Sequence, residues 1–155
     1  LTSPKRVRRQ RSEAITGWRE WVSFAELPLD PVVAKIDTGA LSCALHATEI
    51  TPITVDGKDC VQFLVHPDHA DLARTQSVTA PVADFRWVRS SSGERNERFV
   101  IHTPIQIGSI RFHIDLTLVD RSSMRYPMLI GRTALRKANL LVDSRKSWLC
   151  GDEPR

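Results

Sequence analysis

The clearest pattern in the chain is a strict alternation from Ile110 to Leu118. Ile110, Phe112, Ile114, Leu116 and Leu118 fall on one face, while Arg111, His113, Asp115 and Thr117 fall on the other. That period predicts a strand with one side against a core, entered through a Gly108-Ser109 turn. Other segments carry strand chemistry over shorter spans. Trp18, Trp21, Val22 and Phe24 form an aromatic-rich opening strand that stops at the turn Leu27–Pro31, and Val32–Ile36 is a β-branched run that stops at Asp37-Thr38-Gly39. Cys43–Ala47, Ile50–Val55 and Val61–Val65 follow as strands, the last two joined by an Asp56-Gly57 hairpin turn. His66–Arg74 reads as a loop or short helical turn. Gln76–Val88 and Glu97–Ile107 read as strands around a polar, Gly-containing hairpin tip. Met128–Ile130 is a short apolar strand, Arg132–Ala138 the one helical stretch, and Leu140–Val142 and Ser147–Leu149 close the chain as strands. Many short strands, regular turns and a single late helix predict an all-β barrel or sandwich.

Size and composition narrow the picture without changing it. The 155 residues, 41% of them hydrophobic, suit one packed domain. No apolar stretch approaches the roughly 20 residues of a membrane helix. The net charge of +4 suggests an acidic partner, but its placement matters more than its sum. Lys5, Arg6, Arg8, Arg9 and Arg11 precede any acid; without them the chain carries 17 basic against 18 acidic side chains. We therefore expect a flexible basic arm over residues 1–13 that contacts an acidic surface, a near-neutral body over 14–151 and a tail over 152–155. A dedicated nucleic-acid-binding domain is not expected. Cys43, Cys60 and Cys150 are odd in number and form no CxxC, so neither a disulfide framework nor a cysteine zinc site is signalled. Scattered thiols fit a reducing compartment. A chain starting at Leu1 is expected to be trimmed, which leaves the compartment open.

The candidate chemistry lies at Asp37-Thr38-Gly39-Ala40. An acid at the end of a β-branched strand, entering a Gly-containing turn, is held on a rigid element. About ninety residues later the apolar Pro127–Ile130 segment runs into Gly131-Arg132 and the helix. These two motifs, in that order, resemble the retropepsin-like aspartic peptidases. A closer resemblance, from Gly17 to Leu149, is to the small bacterial branch of that family often labelled "ATP-dependent zinc protease" or RimK-associated. It is carried by Gly17-Trp18-Arg19-Glu20-Trp21-Val22, Ala34–Ala40, Ala44-Leu45-His46-Ala47 and Leu129–Leu135.

The resemblance implies a closed or nearly closed acid-protease barrel with one short C-terminal helix. It implies Asp37 as the catalytic carboxylate, with Thr38, Gly39 and Ala40 supporting the active turn. A hairpin flap would be centred on Ser90, Ser91, Ser92, Gly93 and Glu94. His46, Gly131 and Arg132 are candidates for a supporting layer, His46 either bracing the active turn or serving as a structural histidine. Arg132 would either pair with a carboxylate near the site or act as a solvated or capping residue. Aspartic peptidases use two carboxylates about 3 Å apart that share one proton. This chain has a single Asp-Thr-Gly, so a peptidase of this kind must form its site across a homodimer, acting on a peptide or protein substrate. Viral members usually carry acidic residues where this chain has Leu41 and Ser42, which motivates an alternative: a non-catalytic peptide-binding or ligase-accessory module on the same fold.

Neither cofactor in the branch's label has a motif here. There is no His-Glu-x-x-His, and His66-Pro67-Asp68-His69 with Asp71 reads as an exposed polar loop and not a metal site. No Gly-x-x-x-x-Gly-Lys-Ser/Thr is present for ATP. We expect no cofactor. A thiol-peptidase pairing of Cys43 with His46 is the least supported reading.

Overall fold

The computed structural model describes residues 14–89, 93 and 95–155. The expected arm over residues 1–13 lies outside them, as do Ser90, Ser91, Ser92 and Glu94 of the expected flap. The elements are β1 (Ala14–Thr16), β2 (Arg19–Phe24), β3 (Val32–Asp37), β4 (Cys43–Val55), β5 (Lys58–Val65), β6 (Gln76–Pro81), β7 (Asp84–Arg89), β8 (Arg95–Ile107), β9 (Ile110–Val119), β10 (Met128–Gly131), α1 (Arg132–Lys137) and β11 (Leu140–Val142).

Six strands close on themselves in the order β10-β3-β2-β8-β9-β4, with β4 returning to β10. The fold is a closed all-β barrel with one short helix among the described residues. The even-numbered stripe of β9 faces the core as its alternation predicted: Phe112, Ile114, Leu116 and Leu118 are buried, and Arg111, His113 and Asp115 are exposed. Val22, Val32, Ala34, Leu45, Ile105, Met128 and Ile130 complete the interior from the other barrel strands. β5 and β6 extend the sheet beyond β4, and β7 pairs with the first half of β8 to form a two-stranded ribbon.

Four sequence readings are corrected. Ser147–Leu149 is not a strand. Trp148 has φ 62, a left-handed turn of the backbone, and its N–H donates to the Arg19 carbonyl at 3.2 Å across β2. Gln76–Val88 is two strands, broken after Pro81 where Val82 N–H turns to Asp59 O and Ala83 N–H to Val100 O. Cys43–Ala47 and Ile50–Val55 are one strand with a bulge, where Glu49 takes φ 50 and the register with β5 shifts. The β7–β8 connection is also shorter than the polar run suggested, since Arg89, Arg95 and Asn96 pair within the ribbon.

The C-terminal segment is tied across the start of β2. Glu20, with 0% exposure, accepts hydrogen bonds from Gly17 N–H (2.7 Å) and Cys150 N–H (3.1 Å). Lys146 O takes Trp18 N–H at 2.8 Å. The parallel pair β1–β11 lies beside this clasp.

Candidate active site

β10 is inserted between two strands that are consecutive in sequence. It runs parallel to β3, with Gly131 opposite Asp37, and antiparallel to β4, with Met128 opposite Leu45. The connection from β3 to β4, residues 38–42, must therefore cross over the end of β10. That crossing needs a residue without a side chain beneath it. A Cβ on Gly131 would stand 2.5 Å from Ser42 O and 2.8 Å from Ser42 N.

The same crossing satisfies the start of α1, which has no side-chain cap. Arg132 N–H donates to Ala40 O at 2.8 Å and Thr133 N–H to Leu41 O at 3.2 Å, so amides without partners inside the helix hold the Asp37 turn. Arg132 Nη1 also donates to Gly39 O at 3.2 Å. Of the two sequence readings of Arg132, among the described residues it braces the turn through a carbonyl and makes no ion pair with a carboxylate. Within the turn, Gly39 N–H donates to Asp37 Oδ1 (3.0 Å), which orients the carboxylate, and Ala40 N–H donates to Asp37 O (3.2 Å), which closes the backbone. Thr38 and Gly39 are exposed, and Thr38 makes no side-chain hydrogen bond among the described residues.

Asp37 opens onto a cleft of about 400 Å³ whose walls include Trp18, Lys35, Arg121, Met124, Arg125 and Tyr126. Arg125 and Tyr126 also line a second cleft of about 510 Å³, lined in part by Arg19 and Arg74. Arg19 stacks over Trp18 and Trp148, with its guanidinium 4.6 and 4.9 Å from their rings, and donates to Tyr126 Oη at 3.3 Å. The space beside Asp37 is thus bordered by three cations, Lys35, Arg121 and Arg125. None of the three was singled out from sequence. Arg121 and Arg125 lie in an irregular loop with no periodicity, and the only available signal was that this basic loop immediately precedes the Gly131-Arg132 segment.

His46 is buried, at 8% exposure, and its bonds run to the 120–127 loop and not to the Asp37 turn. His66, by contrast, ties its own loop to β4, with Nδ1 donating to Leu72 O and Nε2 on Thr48 Oγ1, both at 2.9 Å. Burial, with a smaller contribution from Asp115, pushes the Cys43 thiol above its ordinary value, the opposite of what a nucleophilic thiolate needs. The ribbon flanking the expected flap pairs Asp84–Arg89 with Val100–Arg95, and Gly93 is exposed with φ 84.

A six-stranded closed barrel, with an Asp-Thr-Gly turn laid over a Gly-Arg helix start, defines a retropepsin-like protein. The chain belongs to the RimB-like family, described as retropepsin-like aspartic endopeptidase RimB, whose model matches residues 15–152. Its curated relatives include a probable alpha-L-glutamate ligase of Desulfotalea psychrophila, 37% identical over 132 residues that cover 85% of this chain and 28% of the relative. A protein of the same description from Shewanella pealeana is 35% identical over 139 residues, 90% of this chain and 30% of the relative. The chain therefore spans less than a third of the length of these relatives. A crystal structure of a Legionella pneumophila protein of unknown function superposes with a TM-score of 0.73 at 28% identity, covering 90% of this chain and 99% of that one.

Proposed function

We propose that this chain is an aspartic endopeptidase whose catalytic pair is Asp37 from each of two copies, and that it cleaves peptides rich in acidic side chains. The observation that carries the reading is Asp37 itself, held at a strand end by Gly39 N–H and opening onto a cleft bordered by Lys35, Arg121 and Arg125. The ionised Asp37 takes a proton from water as the water attacks the scissile carbonyl. The protonated Asp37 of the partner subunit donates to the carbonyl oxygen and stabilises the charge that develops there. Thr38, Gly39 and Ala40 hold the turn, and Gly131 and Arg132 support it from beneath.

Two features support dimerisation. One chain supplies one Asp-Thr-Gly, and Leu41, four residues from Asp37, is 61% exposed, an apolar side chain that a second copy would cover. The acidic substrate follows from the cationic border of the cleft and from relatives whose description concerns glutamate. The reaction draws on water and two carboxylates, so turnover is expected to survive chelators.

The test is Asp37→Asn. It should abolish cleavage of an oligoglutamate peptide while leaving the circular dichroism spectrum unchanged; undiminished turnover would overturn the proposal. One observation favours a second reading, a non-catalytic peptide-binding module that accompanies a ligase: the matched relatives are described as ligases. Wild type and Asp37→Asn binding the same peptide equally, with neither cleaving it, would establish that alternative.

A further inference from the structure

The loop from Asp120 to Pro127 supplies much of the wall of the cleft beside Asp37, and it is bonded at both ends to one residue of β4. β4 lies between β9 and β10, with His46 opposite Val119 of β9 and Leu45 opposite Met128 of β10. A loop joining β9 to β10 must therefore cross β4 at His46. Both ends of that loop are bonded to this residue. Its backbone N–H donates to Pro127 O at 2.8 Å, and its ring Nδ1 accepts Arg121 N–H at 3.0 Å.

The second bond assigns the ring's protonation pattern. An amide N–H can only donate, so Nδ1 carries the lone pair and the ring proton resides on Nε2. Val119 O, 3.3 Å from Nδ1, is then a neighbour and not a partner. Val119 is the last residue of β9 to pair with β4, and two residues later Arg121 N–H has no strand to bond to. The imidazole supplies the missing acceptor. His66 stacks against it, centroids 5.4 Å apart and planes 22° apart, and is fixed by its own bonds to Thr48 and Leu72.

We infer that His46 is a positioning residue for the substrate cleft: by fastening both ends of the 120–127 loop, it sets where Arg121, Arg125 and Tyr126 stand relative to Asp37. The inference rests on the peptidase reading for its kinetic consequence, but its structural consequence is independent of it. An ordinary core residue at this position would contribute packing alone. His46 contributes an acceptor at one atom, and that difference can be measured.

Two substitutions in the full chain separate the roles. His46→Phe keeps a flat ring against His66 and removes the acceptor, whereas His46→Asn places Oδ1 close to where Nδ1 stands. In His46→Phe, hydrogen exchange at Arg121 and the loop amides should rise about tenfold, with the amides of β3 and β10 unchanged. KM for an oligoglutamate peptide should rise several-fold while kcat stays within about twofold, because the cleft wall and not the carboxylate has moved. His46→Asn should restore both. Unchanged exchange at Arg121 in His46→Phe, exchange that rises equally across the barrel, or His46→Asn behaving like His46→Phe would each overturn the inference. If wild type binds the peptide without cleaving it, the peptidase reading fails and fluorescence anisotropy of the labelled peptide replaces KM. The exchange result then decides the role of His46 by itself.

Discussion

Gly131 and Ser42 are in backbone contact: a methyl group on Gly131 would stand 2.5 Å from the Ser42 carbonyl oxygen. The connection that carries the Asp37 turn rests directly on the end of β10. Gly131→Ala should therefore cost about 1–3 kcal/mol of stability, since backbone and not a flexible side chain must give way. It should also reduce cleavage by more than the unfolded fraction explains. Thermal denaturation and turnover measured together check this, and wild-type values for both would contradict it.

Glu20 is the fully buried acid that joins the N- and C-terminal segments, and it also acts on Cys150. Burial first, then the charge of Glu20, pushes the Cys150 thiol up to about 11 from 9.0. Because the folded thiol holds its proton longer, its stabilising contribution is complete at neutral pH and is lost as pH rises from 9 towards 11. Alkylation of Cys150 in the folded protein should still be accelerating where an unfolded thiol has levelled off. Glu20→Gln should bring the rise to lower pH, and Glu20→Ala, which strands the buried Gly17 amide and the half-buried Cys150 amide, should cost about 2–4 kcal/mol in chemical denaturation.

Leu41→Glu tests the two-copy site. The side chain is exposed in the single chain, so the barrel should keep its stability within about 0.5 kcal/mol. Sedimentation equilibrium should show weaker self-association, and cleavage should fall with the dimer population. Unchanged association would place the interface elsewhere.

Arg121→Ala and Arg125→Ala should each raise KM for an oligoglutamate peptide by about three- to tenfold and flatten its dependence on ionic strength. A neutral peptide of equal length is the control. Equal losses on both peptides would point to damage of the loop and not to loss of charge recognition.

Asp143 provides a pH test away from the cleft. Hydrogen bonds from Arg145, first from its side chain and then from its backbone N–H, hold the Asp143 carboxyl at about 2, below its ordinary 3.8. A carboxylate depressed in the folded state stabilises it above the unfolded pKa, and the contribution is lost as pH falls through the folded value. Asp143→Asn should therefore lower Tm at neutral pH by an amount that persists to about pH 5 and vanishes between about pH 4 and 2. The turn it holds presents Lys146 O to Trp18 N–H, so loss should loosen the start of β2.

Local chemistry was legible where neighbours in sequence decide the outcome. β9 alternates because one face meets the core, α1 starts after Gly131 as expected, and Asp37-Thr38-Gly39 reads as a turn because the Gly39 amide closes on the Asp37 carboxylate. Ser147–Leu149 misled because Trp148 stacks on Trp21 of β2 from a left-handed turn, and hydrophobicity carries no record of φ. The three-residue pair β1–β11 is too short for any period to register.

By itself the sequence determined the all-β class and the turn at Asp37-Thr38-Gly39. Alternation, turn residues and motif order are properties of adjacent positions, and they survive without knowledge of the fold. The tertiary structure decided that β10 enters between β3 and β4, that the 38–42 crossing requires Gly131, and that the 120–127 loop brings Arg121 and Arg125 to Asp37 under the hold of His46. These relationships join residues about 75 to 95 positions apart, and barrel closure, which buries the inner faces of six strands at once, is the physical cause that brings them together.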